Sequence, residues 1–291
     1  LKLALTLEYF DRIAPVWCTL DGTATWSLKS TRDALDTVVM ELADELTVSA
    51  VRRGTNPLDF THSADTLTIT LDRSFGKGEA FSVAIDYHGV PGYGMYASSD
   101  NGGIIHTFTE PYDASGWFPC YDMPDDRFTY EGLYTVRDDW LVASNGDDLP
   151  QVFDNGDGTK TYHWTASFEM PTYLVALAAS DYHYFYDTFD LGHGLRRVDN
   201  WVYREHIPEA EEDLSITPEM IAVCSELFTD YKYPRYGHMI TSIGGAMEHT
   251  TTTSYSSGLI IGDHTYDWVV VHELGHQWFG DWITCKTWEN I

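Results

Sequence analysis

The feature that most limits what this chain can fold into is a two-residue hydrophobic rhythm running from the first residue to about residue 190. In "LKLALTLEYF", Leu1, Leu3, Leu5 and Leu7 alternate with Lys2, Ala4, Thr6 and Glu8, which is the period of a strand with one buried face. The alternation returns in "TLTITLDRSF" (Thr66–Phe75) and "AFSVAIDYHG" (Ala80–Gly89), and "GKG" at Gly76–Gly78 is expected as a hairpin turn between them. "LYTVRDDWLVASNG" and "KTYHWTASFEM" read the same way. "YLVALAAS" (Tyr173–Ser180) is a continuous apolar run of strand length, suited to a strand covered on both faces. "DNGDGT" (Asp154–Thr159) offers Gly156 and Gly158 where a calcium loop needs acidic or amide ligands, so a glycine-rich hairpin turn is expected there and no calcium site. The pattern predicts a β-sandwich-like domain with little helix.

After about residue 190 the texture changes. Pro208 and the Thr217-Pro218-Glu219 run are helix-start signals. Ile221, Val223, Cys224, Leu227 and Phe228 form a helical apolar stripe. "RYGHMITSI" and "TTTTSYSSG" read as strands, and "TYDWVVVHELGHQWFGDW" reads as a helix of about four turns, with Asp267 early and Gly280 near its end. Mixed helix and strand after a β-rich half predicts a second domain.

Composition narrows the function. The formal charge of −28 argues against a nucleic-acid or anionic-membrane partner, because phosphate binding needs a surplus of Lys and Arg. Such acidity leans towards a secreted or periplasmic setting without deciding the compartment. Cys18, Cys120, Cys224 and Cys285 lie far apart with no CxxC pair, so sequence alone cannot assign a disulfide. No stretch approaches 18 uninterrupted apolar residues, so no membrane-spanning helix is expected.

The chemistry sits in "HELGH". On a helix, residues four apart differ by about 40° in direction, so His272 and His276 project from one face and can place two imidazole nitrogens on one metal. Glu273 stands on the rim of that face, within reach of a metal-activated water. This is the zinc-hydrolase pattern, with Glu273 as general base and then as proton donor to the leaving amine. The alternative is a buried amphipathic helix whose histidines hydrogen-bond in a core.

Three separated motifs carry a resemblance. "HELGHQWFGDWITCKTWENI" is similar to the active-site helix and following segment of the aminopeptidase N-like zinc metallopeptidases, the gluzincin family that also includes leukotriene hydrolase. "GGAMEHTTTTSY" resembles that family's Gly-x-Met-Glu-Asn motif, with His249 in place of asparagine. "TFTEPYDASGWFPCYDMPDD" (Thr107–Asp126) resembles its Phe-Pro-Cys-x-Asp-x-Pro stretch. The resemblance implies a β-rich N-terminal sandwich or saddle domain over residues 1–190. It implies next, over residues 191–291, the first part of an α+β thermolysin-like catalytic domain.

The implied activity is that of a zinc-dependent aminopeptidase acting on peptides with a free N-terminus. One zinc would be held by His272, His276 and a glutamate lying beyond Ile291. The family's tyrosine that stabilises the tetrahedral intermediate is also implied further downstream, so the resemblance makes this chain a truncated, inactive fragment. Glu248 would bind the substrate's α-ammonium through charge-assisted hydrogen bonds, with Glu110 beside it. Gly245 and Ala246 would line the peptide backbone. His249, an imidazole where the family has an amide, is expected to tune amine binding or its pH response. Cys120 and Asp122 are expected to be structural, and Tyr255 to lie on a strand lining the cleft. A non-catalytic peptide-binding protein on the same fold is the competing reading. Epoxide hydrolysis finds no support in these residues, and the oligomeric state stays open.

Overall fold

The structure, a computed structural model, describes residues 1–11 and 15–290; Ile291, which ends the motif following the last helix, lies outside them. The alternation in the first strand does what its period requires: Leu3, Leu5 and Leu7 are buried while Glu8 stays exposed. This strand, Lys2–Phe10, lies inside an eight-stranded sheet. In spatial order the sheet runs Gln151–Asp154, Thr159–Met170, Phe128–Arg137, Lys2–Phe10, Trp17–Lys29, Ala80–Gly89, Leu46–Arg53 and Asn56–Pro57. Lys2–Phe10 pairs in parallel with Phe128–Arg137, with Lys2 opposite Glu131. The remaining pairings in this sheet are antiparallel.

A three-stranded sheet of Leu35–Glu41, Thr66–Phe75 and Phe60–Ser63 shares one core with it, Leu67 and Ile69 joining Leu20, Val83 and Ile85. The sandwich is therefore present, but the expected hairpin across Gly76–Gly78 is not. Thr66–Phe75 pairs with Leu35–Glu41 and Phe60–Ser63, whereas Ala80–Gly89 pairs with Trp17–Lys29 and Leu46–Arg53. The turn carries the chain from one sheet to the other. Alternation fixes which face of a strand is buried and leaves open which edge it pairs with. The "DNGDGT" turn does close a hairpin, between Gln151–Asp154 and Thr159–Met170.

The apolar run at Tyr173–Ser180 is only half strand. Thr172–Leu174 forms one 3-10 turn, and Leu177–Ser180 alone enters a four-stranded sheet, between Leu141–Ser144 and Ile104–Thr107. Buried side chains satisfy the irregular backbone before it. Asn145 Nδ2 donates to the Leu174 carbonyl at 2.9 Å, and the Ala176 amide donates to Asn145 Oδ1 at 2.7 Å.

The third part of the fold is a mixed five-stranded sheet in the order His183–Phe189, Arg196–Val202, Tyr236–Thr241, Thr253–Ser256, Ala246–Met247. Its hydrogen bonding thus starts at His183, ahead of the change in texture near residue 190. Helices α1 (Ile207–Asp213) and α2 (Thr217–Leu227) both carry proline in the first turn, as their start signals require. Helix α3 spans Asp267–His276, shorter than the expected run to Trp282.

Two sets of contacts hold α3. Val269 and Val270 enter the core that also contains Met239 and Ile240 of the sheet. Leu274 and Trp278 pack with Ile221 and Cys224 of α2. The four cysteines are unpaired. Among the described residues, no helix is long and apolar enough to cross a membrane.

Candidate metal centre and substrate cleft

Helix α3 presents its motif as its period demands. The Nε2 atoms of His272 and His276 face each other at 3.2 Å, with the rings nearly perpendicular at 87°. Two nitrogens bound tetrahedrally to one zinc at its usual bond lengths stand about 3.3 Å apart, so the pair fits that ion. His276 Nδ1 lies 2.9 Å from the Phe279 carbonyl. A proton on Nδ1 donated to that oxygen leaves Nε2 as the free donor atom, the usual outer support of a metal-binding histidine.

That carbonyl reaches the ring because the chain leaves the helix sharply. The Asp281 amide closes back on the His276 carbonyl at 3.0 Å, and Gly280 takes φ of 133°. A Cβ at Gly280 would meet His276 Nδ1 at 3.3 Å. The glycine expected inside the end of a four-turn helix instead ends the region, and it does so against the metal-ligand candidate.

Carboxylates from two elements converge on the same place. Among the described residues, Glu248, Glu273 and His276 form a group whose donor atoms all lie within 4.8 Å of one another, and His272 adjoins it through His276. Glu273 is buried, and burial, followed by the charges of Glu248 and Glu110, pushes its carboxyl up to about 8. Glu110 is also raised, by burial first and then by Glu248, while His276 acts the other way. Three acids crowded around two imidazoles form a site built to receive positive charge.

These groups wall a cleft of about 540 Å³ that includes Glu110, Ala246, Glu248, His272, Glu273 and His276. Gly245 lies just outside this wall. Its carbonyl accepts from the Ser256 amide at 2.7 Å, and a Cβ there would meet nothing within 4 Å.

His249 departs from expectation. It is fully buried, outside the cleft wall, with Nδ1 2.9 Å from Ser254 Oγ. Burial, with His106 nearby, lowers it to about 3, so it stays neutral near physiological pH, and its hydrogen bond goes to Ser254 and not to Glu248 or Glu110. Tyr255 lies on its strand as expected but is likewise fully buried and does not line the cleft. Cys120 is buried and its thiol is raised by burial, consistent with a structural role. Asp122 accepts from the Ser115 amide and from Thr172 Oγ1, both at 3.0 Å.

Sequence reasoning missed Tyr173, which lines the cleft and donates to the Gly280 carbonyl at 3.3 Å. It also missed Gln277. This buried amide donates to the Glu248 carbonyl at 3.0 Å and to Asp281 Oδ2 at 2.8 Å, and accepts from the Thr251 amide at 3.0 Å. Gln277 thereby ties the end of α3 to the segment carrying Glu248. A polar residue on the buried side of an otherwise apolar helix end was the available signal.

Residues 5–174 match the Peptidase M1 N-terminal domain, and residues 212–291 match the Peptidase family M1 domain. The chain belongs to peptidase family M1. Among M1 relatives, mouse aminopeptidase B is 26% identical over 239 residues, covering 79% of this chain and 35% of that protein. Leukotriene A-4 hydrolase of Xenopus laevis is 24% identical over 282 residues, covering 91% of this chain and 45% of that protein. The chain thus spans less than half the length of these two relatives. The crystal structure of an M1 zinc metallopeptidase from Deinococcus radiodurans superposes with a TM-score of 0.80 at 23% identity, over 99% of this chain and 65% of that one. This likeness shows that the M1 fold is shared.

Proposed function

We propose that the protein is a zinc-dependent aminopeptidase that removes N-terminal residues from peptides. The facing Nε2 atoms of His272 and His276, 3.2 Å apart and with Glu273 beside them, carry this reading. His272 and His276 would hold the ion. Zinc bound there supplies Lewis-acid chemistry, polarising a carbonyl and acidifying water.

The protein's own residues do the rest. Glu273 takes the proton of the attacking water and returns it to the departing amine. Its raised pKa suits the second task. A cation held by His272 and His276 would favour the ionised form of Glu273 needed for the first, against the burial and the Glu248 and Glu110 charges that raise it. Glu248 and Glu110, in the wall of the cleft, hold the substrate's α-ammonium and so set the distance from chain end to scissile bond. Ala246 and Gly245 lie along the peptide backbone. The names of the curated relatives, aminopeptidase B and leukotriene A-4 hydrolase, agree with a hydrolase of this class.

The test is Glu273→Gln in the full-length protein. The variant is expected to retain one zinc by elemental analysis, yet to lose about two to four orders of magnitude in aminoacyl-arylamide turnover. Undiminished turnover would reject Glu273 as the base, and a wild type without zinc would reject the metal centre.

A further inference from the structure

The turn by which the chain leaves α3 is gripped from the N-terminal domain. Arg127, half-buried, stands one residue ahead of the strand Phe128–Arg137. Its Nη2 donates at 2.7 Å to the Glu169 carbonyl on the paired strand and, also at 2.7 Å, to the Asp281 carbonyl. Its Nη1 donates to Thr284 Oγ1, and that hydroxyl donates to the Gly280 carbonyl at 2.6 Å. Tyr173 Oη adds a second donor from the N-terminal domain to the Gly280 carbonyl, at 3.3 Å.

This turn is the one that supports His276. The Gly280 amide donates to the Ile283 carbonyl at 3.0 Å, and the Ile283 amide to the Trp278 carbonyl at 3.1 Å. At its start the Phe279 carbonyl lies 2.9 Å from His276 Nδ1. Gly280 follows with φ of 133°, and glycine torsions alone leave the direction of the preceding carbonyl loosely set. Phe279, Trp282 and Ile283 are exposed, so the position of the turn depends on polar contacts. Those contacts fall on the two carbonyls after Phe279, those of Gly280 and Asp281.

A guanidinium suits this task. Its donors lie in one plane in a fixed fork, so one side chain can join acceptors on two separate elements. Here the fork joins the sheet, through Glu169, to the turn, through Asp281 and Thr284. A lysine ammonium carries the same charge without that geometry.

We propose that Arg127 is a positioning residue for the metal centre. Through Asp281 and Thr284 it fixes the turn, the turn fixes the Phe279 carbonyl, and that carbonyl holds the His276 ring with Nε2 towards the ion. The N-terminal domain thereby takes part in building a zinc site to which it contributes neither histidine.

The inference rests on His276 as a zinc ligand, and the assay separates the two. Zinc affinity of the full-length protein is read by chelator competition, and the visible absorption of its cobalt-loaded form reports the geometry at the histidines. Near-UV circular dichroism shows which variants are folded. Arg127→Met is expected to lower zinc affinity about tenfold and to shift the cobalt bands. Arg127→Lys is expected to recover only part of the loss. Unchanged affinity in Arg127→Met would overturn the proposal, as would a loss that leaves the cobalt spectrum as in the wild type, or full recovery by lysine. Thr284→Val, which deletes the hydroxyl between Arg127 and Gly280, is expected to weaken zinc binding in the same direction. Should Arg127→Met not fold, wild-type affinity in Thr284→Val overturns the proposal. A wild type that holds no zinc overturns the metal centre itself, and this role of Arg127 with it.

Discussion

Gly280 lies against the imidazole of His276, leaving 3.3 Å between the position of a Cβ and Nδ1. The same backbone turn brings the Phe279 carbonyl to that nitrogen. Gly280→Ala strains a backbone held at φ 133° and presses on the ring. Zinc affinity of the full-length variant, read by chelator competition, is expected to fall about 10- to 100-fold, the usual effect of losing an outer partner of a ligating histidine. Unchanged affinity would show that the contact does not orient His276.

Glu248→Ala removes the carboxylate proposed to hold the substrate's ammonium. Steady-state kinetics of the full-length protein should show kcat/KM for free-amine substrates falling by about two orders of magnitude, as expected for a charge-assisted hydrogen bond made in a desolvated site. Efficient cleavage of N-acetylated peptides by the wild type would instead point to an endopeptidase.

Gln277→Leu keeps the volume but deletes the hydrogen bonds to Thr251, Glu248, Asp281 and Tyr231 in a dry location. The Thr251 amide and the Glu248 carbonyl lose this partner, and the expected loss of stability is about 2–4 kcal/mol. Urea midpoints of wild type and variant measure it. A change within about 0.5 kcal/mol would mean that relaxation or water replaces those bonds.

His238 gives the fold a defined acid sensitivity. It is fully buried, with Nδ1 2.8 Å from Asn200 Oδ1, and burial lowers it to about 3. In the unfolded chain it titrates near 6.5, so between pH 6.5 and 3 the unfolded state binds a proton that the native state does not. Its stabilising contribution is complete above 6.5 and falls as pH drops, by about 1.4 kcal/mol per pH unit. The pH dependence of stability in His238→Gln should be shallower by one proton over that window. Parallel curves for variant and wild type would contradict this.

Much of the architecture was legible because it is local. Leu3, Leu5 and Leu7 announce a half-buried strand whatever lies opposite them, and Pro208 and Pro218 mark helix starts through their own geometry. The chemistry of α3 was legible for the same reason, since a four-residue spacing on a helix places His272 and His276 side by side before any other contact forms. Glu248 and Glu110 were reachable only through likeness to a family. Nothing in their neighbourhoods shows that segments more than a hundred residues apart in sequence bring them into one cleft.

What the amino-acid order determined alone was therefore period and spacing: strand faces, helix starts and the paired imidazoles. The tertiary structure decided partnership. It sent Thr66–Phe75 and Ala80–Gly89 to different sheets, buried His249 away from the cleft, stopped α3 at His276 and set Gly280 against the ring. It also raised Glu273, first by burying it and then by setting Glu248 and Glu110 beside it. The reason is that repeat and rotamer are properties of a short segment, whereas edge pairing, desolvation and the field at a carboxyl depend on what distant segments bring alongside.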